Sequence, residues 1–361
     1  MRYAKELLVA LSAVREASLA ARSLQNKIAT TKAAYQKLDT TGGGHGSVSP
    51  VTAADFMVQA LILSSLAKAF PNDRFIAEES SAELIAAGDA TKTAVMAALS
   101  EHAPGSLENE ADVLASLDLG ATGVVDGWSR TRRTWVLDPI DGTKGFLRGD
   151  QFAVALALLD DGQPVIGCLG CPALGEEGSL FYASKGGGAF CGTTHGAASG
   201  AFASRDQSAV DAASTPCIVS PQPQGAGLVR TEAFEAGHSN HAVAEGVARL
   251  LGCSGTPPVR MDGQGKYGIL SRGEAHVYTR LPRPGYVENI WDHAAGAIII
   301  EEAGGRVTDQ DGNPLDFSRG AKLSESVRGI LASNGVVHEA LVGALRASEA
   351  KAAAADAAAA A

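Results

Sequence analysis

The chain has 361 residues, of which 45% are hydrophobic and 19% charged, a composition typical of folded globular proteins and not of disordered ones. This length exceeds what a single hydrophobic core usually supports, so two domains are expected. The formal net charge of −10 argues against nucleic acids and anionic membranes as partners, whereas a small phosphorylated ligand is compatible with it if bound cations reverse the charge locally.

The first predicted element is a long helix over residues 1–38, with Ala and Leu at helical spacing. A glycine-rich loop follows, and a second helix is predicted to begin near Thr52, whose hydroxyl can cap it. Residues 74–80 predict a short strand that ends in acidic residues, and residues 80–120 predict Ala-rich helices. The N-terminal part of the chain is therefore expected to be mainly helical.

Residues 134–146 predict a strand that runs into a tight turn and a short helix, and three further strand-like runs over 152–190 predict a meandering sheet. After residue 240, helices and strands alternate, with one helix predicted from Asp292 to Ala303. We expect three segments: an α+β domain with a large antiparallel sheet over 1–210, an α/β domain over 211–346, and an Ala-rich tail over 347–361.

Five cysteines are scattered along the chain, and the odd count favours reduced thiols. Cys168 and Cys171 have the spacing of a CxxC motif, but no second pair is present to complete a zinc site, and both lie in a strand-like run. We expect them to be packing residues. With no secretory pattern and no membrane-length apolar run, the sequence favours the cytoplasm or an organellar stroma or matrix.

Asp138-Pro-Ile-Asp-Gly-Thr143 is the segment most indicative of chemistry. Pro139 favours a β-turn that would bring the carboxylates of Asp138 and Asp141 together, where a divalent cation can relieve their repulsion. The Ile140 carbonyl could add a ligand, and Thr143 begins a helix whose free N–H groups favour an anion. The tetrapeptide alone is more typical of an ordinary turn, but the hexapeptide after an apolar strand favours a metal site.

Two other acidic positions could complete such a site. Glu78-Glu79 ends a strand-like segment, where adjacent acids are more often a solvated loop. Asp292 stands where a helix N-cap belongs, and capping is the commoner role of an aspartate there.

Three motifs in chain order resemble the inositol monophosphatase superfamily of Li⁺-sensitive, Mg²⁺-dependent phosphomonoesterases: Glu78-Glu79-Ser80, Asp138-Pro-Ile-Asp-Gly-Thr143 and Trp291-Asp292-His293-Ala-Ala-Gly296. Further segments are similar to its 3′(2′),5′-bisphosphate nucleotidase branch, namely 49–55, 144–153, 235–239, 266–267 and 278–282. The resemblance implies a layered αβαβα sandwich, two or three Mg²⁺ ions with Li⁺ inhibitory, and hydrolysis of adenosine 3′,5′-bisphosphate to AMP and phosphate. It also implies a small nucleotide as substrate. From charge and hydropathy we expect binding to neither nucleic acid nor membrane, and we expect a monomer.

Carried over by position, the resemblance implies these metal ligands: Glu78, Asp138, the Ile140 carbonyl, Asp141 and Asp292. Thr143 would orient the attacking water and Asp292 would bridge metal and substrate, so both would be catalytic and in contact with substrate. The nucleotide would be held by His238, Lys266 and Arg280, the last two neutralising its second phosphate.

Two positions depart from the family pattern. Ser47 stands where relatives carry a catalytic Asp that helps to activate water, and the loss of general-base assistance typically costs ~10²–10⁴-fold in rate. Turnover is therefore expected to be slow unless His45 or Asp39 substitutes. Gly263 stands where relatives carry a serine that contacts the nucleotide, a loss of ~0.5–1.5 kcal/mol in binding.

Several alternatives stay open. One is an inositol polyphosphate 1-phosphatase or a fructose bisphosphatase-like enzyme, and another is a nucleotide sensor with weak catalysis because of Ser47. Residues 263–268 also match GxGxxG, with Glu288 at the spacing expected of a dinucleotide-binding fold, but a lone match of this kind is weak. The sequence does not fix the preference for a 2′ or 3′ phosphate, or activity on the sulfated nucleotide.

Overall fold

Two long helices form the first layer: α1 (Ala4–Gln36) and α2 (Pro50–Ala69). The computed structural model describes residues 2–36, 50–125, 133–234, 241–283 and 285–360. α1 confirms the first predicted helix over its described part. α2 begins at Pro50, before the predicted Thr52, because proline is well suited to a first helical turn. Apolar side chains of both helices pack on one face of the first sheet.

The first sheet has seven strands in sequence order, β1 to β7. β1 and β2 are parallel, and all later neighbours are antiparallel, as the meandering pattern predicted. The strands are β1 (Arg74–Ala77), β2 (Thr134–Asp141), β3 (Ala153–Asp160), β4 (Gln163–Cys171), β5 (Ser179–Ser184), β6 (Gly188–Gly192) and β7 (Thr215–Cys217).

The connection from β1 to β2 contains the predicted Ala-rich helices. Parallel neighbours need a crossover, and this one is made by α3 (Ser81–Ala86), α4 (Asp89–His102), α5 (Glu110–Asp118) and α6 (Thr122–Val125). A capping box between Ser80 and Glu83 starts α3 directly after the acidic end of β1. Two short helices lie later in this half: α7 (Thr143–Arg148) and α8 (Gln207–Ala212).

The middle layer lies between the two sheets and contains α10 (Gly265–Ser271) and α11 (Ala294–Glu302). α11 is apolar on nearly all sides, as expected of a helix covered from both directions. It packs so closely on β4 that a Cβ at Gly167 would lie 2.5 Å from the Ala295 carbonyl oxygen. The GxGxxG match contributes residues 265–268 to buried α10, which contradicts a nucleotide loop there.

The second sheet has the strand order β11-β12-β10-β8-β9. Its strands are β8 (Arg230–Glu232), β9 (Val259–Arg260), β10 (Val277–Arg280), β11 (Arg306–Asp309) and β12 (Ile330–Ser333). Its outer face is covered by α9 (His241–Leu250) and α12 (His338–Ala360), which complete the αβαβα sandwich expected from the sequence. The domain division at residue 210 stays a prediction; β7, beyond it, pairs with the first sheet.

All five cysteines are free thiols. Cys168 and Cys171 lie three residues apart in β4, so they point to opposite faces of the sheet and pack into different cores. Both side chains are fully buried in these cores, as expected of packing residues, and burial raises the pKa of both thiols. Within the described ranges, no helix is both long and apolar enough to cross a membrane.

Candidate metal and phosphate site

A bulge in β2 brings Asp138 and Asp141 together. Between these residues β2 advances three positions while β3 advances two, from Ala155 to Ala153. In a regular strand, residues three apart face opposite sides, and the one-residue bulge returns both carboxylates to the same side. The sequence prediction of a β-turn was therefore wrong in form, although the expected meeting of the carboxylates is present. Proline is tolerated within this paired strand because it lies at the bulge.

Asp292 reaches the same point from the second half of the chain. It ends a 3₁₀ turn (Ile290–Asp292), and His293, not Asp292, is the N-cap of α11. The predicted capping role was wrong, because α11 begins two residues later than expected. The side chain of Asp292 points to the carboxylates of Asp138 and Asp141, and ligand atoms of the three lie within 4.8 Å of one another.

Glu78 joins this cluster through the pairing of β1 with β2. Ala77 pairs with Leu137 in parallel register, so the next residues, Glu78 and Asp138, lie side by side within hydrogen-bonding reach. Buried Gln59 fixes this strand end, since its amide accepts from the Glu79 N–H (2.9 Å) and donates to the Glu79 carbonyl (2.5 Å).

The electrostatics of the cluster fit a bound cation. Burial, followed by the charges of Asp292 and Glu79, raises the pKa of Glu78 to about 8. Burial and the charge of Glu78 hold the pKa of Asp138 well above its usual range. Oδ1 of Asp138 is buried and has no hydrogen-bond partner among the described residues. Buried carboxylates without enough donors are costly unless a metal ion is coordinated.

Next to the acids, Thr143 begins α7 and its hydroxyl donates to the Ile140 carbonyl at 3.2 Å. This contact places the hydroxyl beside the Ile140 carbonyl, which the sequence analysis predicted to be a metal ligand. Thr143 is exposed to the cleft, whereas the Ile140 side chain is buried. The end of β2 and the start of α7 therefore present a backbone oxygen and a hydroxyl together.

Two cations, Lys266 and Arg280, also line the cleft. Lys266 is buried at the start of α10, and its Nζ donates to the carbonyls of Met261 (3.1 Å) and Gly263 (2.6 Å). Burial lowers the pKa of Lys266 to about 8. Arg280, at the end of β10, donates from Nε to Glu288 (2.7 Å), and its Nη2 lies 3.5 Å from Asp292.

The cleft lined by these acids and cations has a volume of about 290 Å³ and opens to solvent. Its lining combines acids at the ends of β1 and β2 with Asp292 and the two cations from the second half of the chain. A phosphate group bound there would meet both a metal held by the acids and the ammonium and guanidinium groups, an arrangement suited to phosphoryl chemistry.

Sequence reasoning gave no role to several residues around the cleft. Gln264 lies beside Asp141, and its amide also donates to the Trp291 carbonyl (2.8 Å) and accepts from the Gly296 N–H (3.2 Å). Buried Asp55 lies near Glu78 and Glu79, and burial followed by their charges holds its pKa well above the usual range. For Gln264, the sequence signal for a role in the site was its position between Gly263 and Lys266, two residues that the sequence analysis had related to nucleotide binding.

Two predicted residues, Ser47 and His238, lie outside the described residues, as do His45 and Asp39. All other predicted site residues line the cleft, drawn from both halves of the chain: Glu78, Asp138, Ile140, Asp141, Thr143, Lys266, Arg280 and Asp292.

Comparison with known proteins gives the same family. The chain is 38% identical over 366 residues to a 3′(2′),5′-bisphosphate nucleotidase of Emericella nidulans, covering 96% of this chain and 99% of that protein. It is 39% identical over 346 residues to a protein of the same name from Oryza sativa, covering 92% and 91%. An inositol monophosphatase from Anabaena (Nostoc) sp. PCC 7120 has the same fold, with a TM-score of 0.57, 22% identity, and coverage of 96% and 97%.

A model of the inositol monophosphatase family matches residues 9–350. This match spans nearly the whole chain and includes every residue that lines the cleft. The chain therefore belongs to the inositol monophosphatase family.

Proposed function

We propose that this protein is a Mg²⁺-dependent phosphomonoesterase that hydrolyses adenosine 3′,5′-bisphosphate to AMP and phosphate. The observation that carries the proposal is that Asp138, Asp141 and Asp292 meet in the cleft that Lys266 and Arg280 also line. One buried oxygen of Asp138 has no hydrogen-bond partner within the part of the chain that the structure describes. The nucleotide substrate is supported by the names of the similar proteins from Emericella nidulans and Oryza sativa.

The donor set of the acidic wall consists of oxygen atoms only, which suits a hard cation such as Mg²⁺. The residues that would hold it are Glu78, Asp138, Asp141 and Asp292, with the Ile140 carbonyl. When bound, Mg²⁺ supplies an acidified water and neutralises phosphate charge. Li⁺ is expected to inhibit.

The protein's own groups would orient the reaction. The Thr143 hydroxyl, fixed by its contact with the Ile140 carbonyl, would hold the attacking water in line with the phosphorus atom. Asp292 would contact both metal and substrate, and Lys266 and Arg280 would bind the second phosphate by charge-assisted hydrogen bonds. His238 would contact the nucleotide. Because Ser47 cannot accept a proton as readily as an aspartate, turnover is expected to be slow.

The test is phosphate release from adenosine 3′,5′-bisphosphate and from inositol 1,4-bisphosphate, each with Mg²⁺, with Mg²⁺ plus Li⁺, and with a chelator. We expect Mg²⁺-dependent, Li⁺-sensitive release that favours the nucleotide. Faster release from the inositol compound would indicate an inositol polyphosphate phosphatase. Tight nucleotide binding without any Mg²⁺-dependent release would indicate a sensor and would overturn the proposal. The 2′ isomer and the sulfated nucleotide can be compared in the same assay.

A further inference from the structure

Glu288 is a fully buried acid, with no exposed surface, that lies outside the group of proposed metal ligands. Its two carboxylate oxygens are used separately. Oε1 accepts from Nε of Arg280 at 2.7 Å, and Oε2 lies 3.2 Å from Nε2 of His293. A buried carboxylate destabilises the fold unless it is paired in this way, so the burial of Glu288 depends on its contacts with Arg280 and His293.

The direction of the hydrogen bonds follows from the chemistry of the groups. Because an ionised carboxylate only accepts, Nε2 of His293 must carry the proton that it donates to Glu288. Nδ1 of His293 lies 2.9 Å from the hydroxyl of Tyr267. In neutral His293 this nitrogen accepts from the hydroxyl. Glu288 therefore orients both an arginine of the cleft wall and the histidine that follows Asp292.

The backbone of Glu288 is itself held in place. Its carbonyl accepts from the Leu323 N–H (2.9 Å), and the Ile290 N–H donates to the Ala321 carbonyl (3.0 Å). Asn289 forms an isolated antiparallel bridge with Lys322. The carboxylate thus projects from an anchored segment, which is required of a group that positions another.

These contacts restrict the conformations that the Arg280 side chain can adopt. Occupation of Nε by Glu288 fixes the plane of the guanidinium and turns its Nη2 toward Asp292 and the cleft. An arginine without this partner could rotate about its long side chain and pair more fully with the acidic cluster. Such pairing would remove it from the second phosphate.

We propose that Glu288 is a positioning residue that holds Arg280 in the orientation for binding the second phosphate, and thereby sets the preference for bisphosphorylated over monophosphorylated nucleotides. This inference rests on the proposed function. Glu288 touches neither substrate nor metal in the proposal and acts through Arg280.

The experiment compares Glu288→Gln with wild type on adenosine 3′,5′-bisphosphate and on adenosine 3′-monophosphate, which lacks the second phosphate. We expect the ratio of kcat/KM for the two substrates to fall by about tenfold or more through a raised KM for the bisphosphate, as loss of a charge-assisted hydrogen bond implies. Glu288→Asp, which keeps the charge, should restore part of the preference. Equal losses on both substrates would contradict the proposal.

Glu302→Gln is the matched control. Glu302 accepts from the N–H groups of Gly186 (2.8 Å) and Gly188 (2.9 Å), so its substitution also removes a charged acceptor of internal hydrogen bonds, but at a residue that does not line the cleft. We expect it to leave the substrate preference unchanged. A similar fall in preference for Glu302→Gln would mean that general loosening of the fold, and not Arg280, is responsible.

A readout independent of activity separates this inference from the proposed function. The Nε–H resonance of Arg280 in nitrogen-15 spectra, assigned by its loss in Arg280→Lys, should exchange slowly with solvent in wild type and rapidly in Glu288→Gln. An unchanged Arg280 signal would overturn the positioning role even if the bisphosphate is hydrolysed. A changed signal in a protein that hydrolyses neither nucleotide would support the orientation of Arg280 by Glu288 while defeating the proposed reaction and the substrate preference derived from it.

Discussion

The backbone of Gly263 lies directly against the carbonyl oxygen of Asp141, so that a Cβ on Gly263 would come within 2.3 Å of that oxygen. Gly263 also has a φ of +65°, in the left-handed region where a side chain is strained. The loop before α10 and the end of β2 therefore meet through a contact that only glycine permits without movement. In this chain, the departure from the family's serine fits that contact.

Gly263→Ala is expected to displace Asp141 and to reduce kcat/KM by about tenfold or more, since small misplacement of reacting groups is costly. The φ strain adds roughly 1–2 kcal/mol of destabilisation. Steady-state kinetics and chemical denaturation measure the two effects. Gly343→Ala is the control, because a Cβ at this exposed position of α12 meets nothing within 4 Å, and it should be neutral or stabilising. Wild-type kinetics in Gly263→Ala would show that the contact does not constrain the site.

Asp141→Asn is expected to reduce kcat by several orders of magnitude while the fold survives, because it removes one charge from the proposed metal site without changing the shape of the side chain. Phosphate release and Mg²⁺ titration calorimetry measure the loss. Asp206→Asn serves as the matched substitution, since Asp206 is the exposed N-cap of α8 and asparagine caps equally well. Turnover of Asp141→Asn at the wild-type rate would contradict the metal assignment.

Removal of metal should make stability depend on pH through Glu78. The pKa of its carboxyl is raised from 4.5 to about 8 in the folded protein, so protonation stabilises the fold at low pH, and this stabilisation is lost as the pH rises from about 4.5 to about 8. When a chelator is present, we expect the free energy of unfolding of Glu78→Gln to exceed that of wild type by an amount that grows as the pH rises across this range. Added Mg²⁺ should reverse the difference at pH 8, because binding to the folded state adds stability by mass action. The measurement is denaturant unfolding at several pH values, and a difference independent of pH would oppose this account.

A second pH dependence of opposite sign is expected from His338, far from the cleft. This buried imidazole contacts Thr308 and Ser333, each at 2.9 Å, and burial lowers its pKa to about 4. A lowered folded pKa gives stability that is present above the unfolded value near 6.5 and is lost as the pH falls toward 4. The loss between pH 7.5 and 5 should be about 2 kcal/mol. His338→Gln should be less stable at pH 7.5 but should lack this part of the pH dependence, as urea unfolding of both proteins would measure.

The layered sandwich and the full set of acids were predicted through the family resemblance, whereas local pattern predicted the meandering strands and the meeting of Asp138 with Asp141. The meander after residue 152 follows from alternating apolar runs and turn residues, and the acids follow from motifs at the ends of β1 and β2. The form of the Asp138–Asp141 segment could not be predicted. A proline between two acids fits either a β-turn or a bulge, and pairing with β3 decides between them.

The environment of Arg280 was also beyond sequence reasoning. Glu288 was noticed only for its spacing from a glycine motif, whereas its partners come from β10 and the start of α11. The N-cap of α11 was misplaced for a similar reason, because the 3₁₀ turn that presents Asp292 depends on contacts made by Gln264 and by the strand-like segment at Ala321. Tertiary contacts of this kind produce no periodic pattern in the amino-acid sequence.

The close packing of α11 on β4 at Gly167 limits how the affinity of the proposed metal site for a cation can change. α11 directly follows Asp292, so any side chain that lifts this helix from the sheet moves one carboxylate relative to the two that β2 holds in place. In the proposed metal site, the spacing of the carboxylate oxygens would therefore depend on the thickness of an apolar interface. Substitutions at buried core positions, which contact neither solvent nor ligand, would then change the selectivity of the proposed site for different ions.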